Sequence, residues 1–164
     1  MLFTPLTLKG LSLKNRVVLS PMCQYQAVEG AVQPWHHQHH ARFASGGLGL
    51  AFVEATGVTR DGRITHGCTG IWSDDQVPGL KKIVDLYHTY GSACGIQIGH
   101  SGRRGSAERP WDGAAPIKRA LPAPARSATS ARRTELEDFG EPITSTRSQR
   151  GASALTASCR FVVA

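Results

Sequence analysis

"VVLSPMCQYQ", residues 17–26, is a short apolar run that stops at a proline and leads at once into a thiol and a phenol. The run reads as a buried strand, Val17 to Met22, and if the extended geometry continues, Cys23 and Tyr25 point the same way. The residues directly after the run decide between two folds. A doubly wound nucleotide-binding sheet carries a glycine-rich phosphate turn directly after its first strand, and "SPMCQYQ" contains no glycine. A (β/α)8 barrel needs no such turn there, and keeps its chemistry at the carboxyl ends of its strands.

The surrounding sequence supplies the alternation that either fold requires. Residues 3–15, "FTPLTLKGLSLKN", predict a hairpin turning at Lys9 and Gly10. Pro34 to about Ser45 predicts a helix with proline in its first turn and Gly46 and Gly47 ending it. "LGLAFVE", Leu48 to Glu54, is apolar almost throughout, as in a strand covered on both faces. "SDDQVPGLKKIVDLYHTYGS" starts at a capping Ser73, sets Leu80, Ile83, Val84 and Tyr87 on one face, and stops at Gly91. "CGIQIGH", Cys94 to His100, is a third strand. This βαβαβ order implies a parallel sheet with right-handed crossovers. The fold class is therefore α/β, the first three β/α units of a TIM barrel preceded by a hairpin. The strand ends then bring Cys23 and Tyr25, Glu54 to Thr56, and Gln97 to His100 to one rim.

After about Ile117 the composition changes to Ala, Arg, Ser, Thr and Pro without helical or parallel-strand periodicity, so residues 118–164 read as an irregular, low-order tail apart from a 1–117 domain. The net charge of +7 has the same division: residues 1–117 carry eleven basic and eight acidic side chains, residues 118–164 eight and four. Without aromatic platforms or a binding module, this basic excess does not make a nucleic-acid binder. No stretch approaches the roughly 18 apolar residues of a membrane span and the N-terminus lacks a leader pattern, so a cytoplasmic protein is expected. Four cysteines without CxxC spacing suit a reducing compartment and suggest neither a zinc knuckle nor a disulfide framework.

Taken singly, the candidate residues leave alternatives open. Cys23 reads as a nucleophile with His100 as its base, as a redox thiol, or as a small buried hydrophobe. Gln97, an amide between isoleucines, needs a partner for both donor and acceptor, as the edge of a cyclic imide would offer. "HHQHH", His36 to His40, spreads over too wide an arc for one metal ion and reads as helix surface and packing against the sheet. The loop "HSGRRGSAERPWDG", with Arg103 and Arg104, suits an anion or a solvated turn, and Trp72 and Trp111 suit loop anchors as well as ligand contacts.

"LFTPLTLKGLSLKNRVVLSPMCQY", "LAFVEATGVTRDGRITHGCTGIWSDDQVPGLKKIV" and "GIQIGHSGRRGSAERPWDGAAPI", in this order and spacing, resemble the Old Yellow Enzyme family, in its branch of bacterial NADPH dehydrogenases. The resemblance covers Leu2 to about Ile117. It implies an FMN-dependent ene-reductase on a (β/α)8 barrel, passing hydride from NADPH or NADH through the flavin to an activated alkene such as an enone, in a family often homo-oligomeric. It further implies that Ser20, Pro21, Met22 and Cys23 lie against the flavin, that Cys23 tunes its reduction potential and that Tyr25 contacts substrate. Ala55 becomes a flavin contact and Gln97 the amide on the pyrimidine edge, while Arg104 stands where the branch often has a basic residue. The family's substrate-binding histidine pair, a later arginine and the glycine-rich phosphate grip have no counterpart, since no histidine comes after His100. The change after Ile117 resembles a shifted reading frame. A catalytically inactive barrel fragment is the rival expectation.

Overall fold

Two eight-residue strands, apolar on both faces, carry the fold because each can bury itself only between other layers. The computed structural model describes residues 1–102 and 105–117, together with the backbone of 158–163. Arg103 and Arg104, and the basic tail apart from that backbone, lie outside the described residues. The expected hairpin is present as β1 (Leu6–Leu8) and β2 (Leu11–Leu13), antiparallel, with Lys9 at a φ of 49° in the turn. Next along the chain come β3 (Val18–Leu19), α1 (Pro34–Ser45), β4 (Leu50–Gly57), α2 (Val77–Thr89) and β5 (Ala93–His100). A short 3-10 turn, Asp74–Gln76, leads into α2; Ser73 and Gln76 cap it reciprocally, the pairing expected of a serine three residues before a glutamine.

Strands β3, β4 and β5 are parallel neighbours, as the βαβαβ pattern requires. The first differs from expectation in length. Only Val18 and Leu19 pair with β4, through Leu50 and Ala51, and the chain leaves the sheet before Pro21, which has no amide hydrogen for a ladder. The other difference is β6 (Ser158–Val163), antiparallel on the far edge of β5 and interrupting the expected irregular tail. The run "CRFVV" has high strand propensity, and the unpaired edge of β5 offers it a ladder.

Two apolar clusters sit on opposite faces of this sheet. Ala51, Val53 and Cys94 pack with Ala44 of α1 and Leu80, Ile83 and Tyr87 of α2. Leu50 packs with Leu13, and Phe52, Ala93 and Leu11 close around them, so the hairpin covers the amino-terminal end of the strands. The carboxyl ends are left for the site.

The histidines of α1 are corrected from surface to interior. His36, His39 and His40 are all buried. His40 Nδ1 lies 2.8 Å from the hydroxyl of Tyr87, itself fully buried, which ties α1 to α2. Burial holds the His40 imidazole down to about 3, with His39, His36 and His37 adding to the push. An unfolded histidine titrates near about 6.5, so between these values the unfolded chain binds the extra proton. The stability that neutral His40 provides is complete above about pH 6.5 and is lost as pH falls toward 3. Thermal unfolding followed by circular dichroism should show a Tm that declines on acidification from pH 7 to 5, with a slope of up to about 1.4 kcal/mol per pH unit from this group. His40→Gln, which leaves Tyr87 an amide partner and cannot titrate, should flatten that part of the decline.

Candidate functional site

The rim is built by one irregularity. Val53 pairs with Ile96, yet the next pair in the β4–β5 ladder is Ala55 with Gln97, so Glu54 is an extra residue in a bulge. Beyond it the strands run in step again through Thr56 with Ile98 and Gly57 with Gly99. Ala55, Thr56, Arg63, Gln97, Gly99 and His100 line a cavity of about 150 Å³ at this end of the sheet. The Gln97 side chain has no hydrogen-bond partner among the described residues.

On one side of Ala55 lies the loop after β3. The extended geometry that would aim Cys23 and Tyr25 alike does not continue, because Tyr25 adopts a left-handed φ of 55°. The two side chains nevertheless meet: the Tyr25 phenol is raised above its ordinary value by burial first, then by Cys23, Cys68 and Glu54. Cys23 lies against Cys68, a residue that sequence reasoning missed, and against the Ala55 backbone. Thr65 Oγ lies 3.5 Å from Cys68 Sγ on its other side. The thiol pair titrates as a unit. The contact between the two pushes Cys23 up and Cys68 down to about 6.

Two backbone features bring Cys68 there. The Ala27 amide donates to the Gly67 carbonyl at 2.9 Å, sewing the Cys68 loop to the Cys23 loop. A Cβ at Gly67 would collide with the Tyr25 carbonyl, so only glycine permits this approach.

The remaining candidates divide between the site and its surroundings. His100 is not among the groups acting on Cys23; its Nδ1 accepts from the Gly102 amide at 3.0 Å, so the expected Cys23/His100 pair is not formed. Arg63, buried, donates from Nε to the Arg60 carbonyl at 2.9 Å and from Nη1 to the His66 carbonyl at 3.1 Å, and lies over Trp72 at 5.0 Å. Trp72 thus anchors a loop. Trp111 meets Tyr25 edge-on at 5.7 Å with Arg109 over its ring, at the mouth of the site. Ser20 and Met22 are exposed and Pro21 half-buried along the same rim. The α1 histidines do not gather as metal ligands. Among the described residues His66, Glu108 and Asp112 bring donor atoms within 4.8 Å of one another, with Arg109 already paired to Asp112 at 2.7 Å.

The family model of the NADH:flavin oxidoreductase / NADH oxidase family matches residues 1–145, which runs past Ile117 where the resemblance read from the motifs stops. The chain belongs to this family. It is 50% identical over 105 residues to an NADPH dehydrogenase of Geobacillus thermodenitrificans, covering 63% of this chain and 31% of that protein. To the NADPH dehydrogenase of Bacillus subtilis it is 45% identical over 109 residues, covering 65% and 32%. The chain therefore spans about a third of the length of these relatives. Among solved structures it is similar to morphinone reductase, with a TM-score of 0.59 and 33% identity over 64% of this chain and 28% of that one. An Old Yellow Enzyme homologue from Zymomonas mobilis gives a TM-score of 0.62 and 26% identity, covering 84% and 42%.

The thiol pair of this family member makes a direct prediction. Thiolate absorbance should rise with a midpoint near pH 6 for one cysteine, and Cys68→Ser should remove that wave. Cys94, pushed up to about 12 by burial, should contribute only at the alkaline end of the titration.

Proposed function

We propose that this chain contributes one side of the flavin site of an NAD(P)H-dependent FMN oxidoreductase of the ene-reductase type, built on the first part of a (β/α)8 barrel. The supporting observation is the Gln97 amide, lining the cavity without a partner among the described residues and in register with Ala55. A glutamine there offers a donor and an acceptor side by side, the complement of an imide edge. Ala55 presents only a methyl group and Gly99 none, so a flat ring can approach the sheet closely. The residues present fit FMN at its ring. The cavity of about 150 Å³ is below the roughly 300–1,000 Å³ of sites that enclose a whole ligand, as suits one side of a site.

When bound, FMN supplies hydride transfer from NADPH or NADH to an activated alkene such as an enone. The chain's own residues supply orientation and electrostatics. Gln97 holds the pyrimidine edge. Cys23 keeps its proton and offers an uncharged S–H beside the ring, while Ser20, Pro21 and Met22 form the rest of that wall. Tyr25, steadied by Trp111, faces the substrate. The free thiols Cys23, Cys68 and Cys94 suit a reducing cytoplasm. The small cavity also favours a second reading, a barrel fragment that holds flavin without turnover.

Titration of the purified chain with FMN, read by quenching of flavin fluorescence, tests the proposal. The chain should take up FMN, and Gln97→Leu should weaken uptake about tenfold or more, since an unpaired polar edge costs roughly 1–3 kcal/mol. Absence of uptake by the unaltered chain would overturn it. NADPH consumption by the loaded chain supports the enzyme, and uptake without consumption supports the fragment.

A further inference from the structure

Glu54 is a carboxylate buried to 2% exposure in the middle of a sheet, an expensive place for a charge unless it does something there. The bulge re-aims it away from the regular alternation of β4, and two elements converge on it. From the loop after β3, the Gln24 amide donates to Glu54 Oε2 at 3.0 Å. Gln24 is the residue next to Cys23, so this bond fixes the backbone that carries the thiol. From α1, His36 Nε2 lies 3.2 Å from Glu54 Oε1.

The tautomer of His36 is set on its far side. Its Nδ1 accepts the Gln33 amide at 2.9 Å at the start of α1, so the ring hydrogen is on Nε2, the nitrogen nearer the carboxylate. Both Nε2 and Oε1 are buried and the contact lacks hydrogen-bond alignment, so neither atom has another partner among the described residues. Buried polar atoms left in this way cost stability. The helix cap thus backs the histidine, the histidine faces the carboxylate, and the carboxylate grips the thiol's loop.

We propose that Glu54, backed by His36, is a positioning residue for Cys23: through the Gln24 amide it sets where the thiol sits at the rim beside Ala55. The importance of that place for hydride transfer rests on the flavin reading above. The positioning itself does not. Glu54 also acts as a negative charge on both sulfurs, holding the first ionisation of the Cys23–Cys68 pair above what it would otherwise be. The groups facing the pair are Tyr25 on the same loop, Glu54 on β4 with His36 of α1 behind it, and Thr65 beside Cys68.

The test uses the full chain without added flavin, labelled with 13C at cysteine Cβ and 15N at backbone amides. Glu54→Gln keeps an acceptor for the Gln24 amide and removes the charge. It should retain Gln24 protection from hydrogen exchange while moving the first thiol midpoint, near 6, to lower pH. Glu54→Ala removes the acceptor as well, and should lose about tenfold or more of Gln24 protection with the Cys23 Cβ resonance displaced. An unchanged midpoint in Glu54→Gln, or full Gln24 protection in Glu54→Ala, overturns the inference. If Glu54→Ala fails to fold, the midpoint in Glu54→Gln still decides. FMN titration of the unaltered chain is run separately: failure there overturns the flavin reading and leaves the thiol result standing.

Discussion

The register between β4 and β5 is the constraint on which the rest of the structure depends. Up to Val53 with Ile96 the two strands serve the core, one face on the helices and the other on the hairpin. A single extra residue at Glu54 then changes the phase of β4. Without the bulge, the residue in step with Gln97 would be a glutamate in place of an alanine, and a carboxylate would stand beside the amide. With it, Glu54 turns to α1 and the loop after β3, and Ala55 is brought beside the amide. The irregular ladder and the site are one feature.

The same residue organises the charges. A buried carboxylate next to two thiols and a phenol penalises every further negative charge nearby, and Cys23 and Tyr25 are both held toward their protonated forms. Only Cys68, beside Cys23 and with Thr65 Oγ at 3.5 Å, goes the other way. Neighbouring sulfurs are thereby given opposite tendencies by an arrangement in which the Gly67 approach is indispensable. Substitution at any one of these positions therefore alters more than its own contact, because the thiol pair, the carboxylate and the left-handed turn at Tyr25 share one small volume.

The helices, the hairpin and the two long strands were legible because each is decided by local pattern: proline at a first turn, glycine after a last, a capping serine, unbroken apolar runs. Pro34–Ser45 agrees residue for residue. Convergence on the rim was legible too, since parallel strands place their carboxyl ends together. The unreadable parts are set by tertiary contact. A one-residue bulge leaves no trace in an apolar run, and the partnership of Cys68 with Cys23 joins residues far apart in the chain, depending on a backbone bond between two loops. For the α1 histidines the packing role was legible and the extent of burial was not: His36, His39 and His40 are all interior, and burial keeps His40 neutral. Strand β6 arises from an edge in search of a partner, which no reading of its own composition as a tail could supply.

That edge carries a further consequence for the proposed site. β6 pairs antiparallel along β5 from Gly95 to His100, with Gln97 opposite Phe161. In a closed barrel each strand has neighbours on both sides, and a (β/α)8 barrel requires the next one to be parallel. One edge of β5 cannot satisfy two strands, so an additional parallel strand that completes the wall beside Gln97 must displace β6. The antiparallel ladder spans six residues of β5, against two residues of β3 on the opposite edge of β4. By this measure the β3 side is the more weakly paired. Assembly of the proposed site from this chain would therefore be a competition between strands for the edge of β5, decided next to the Gln97 amide.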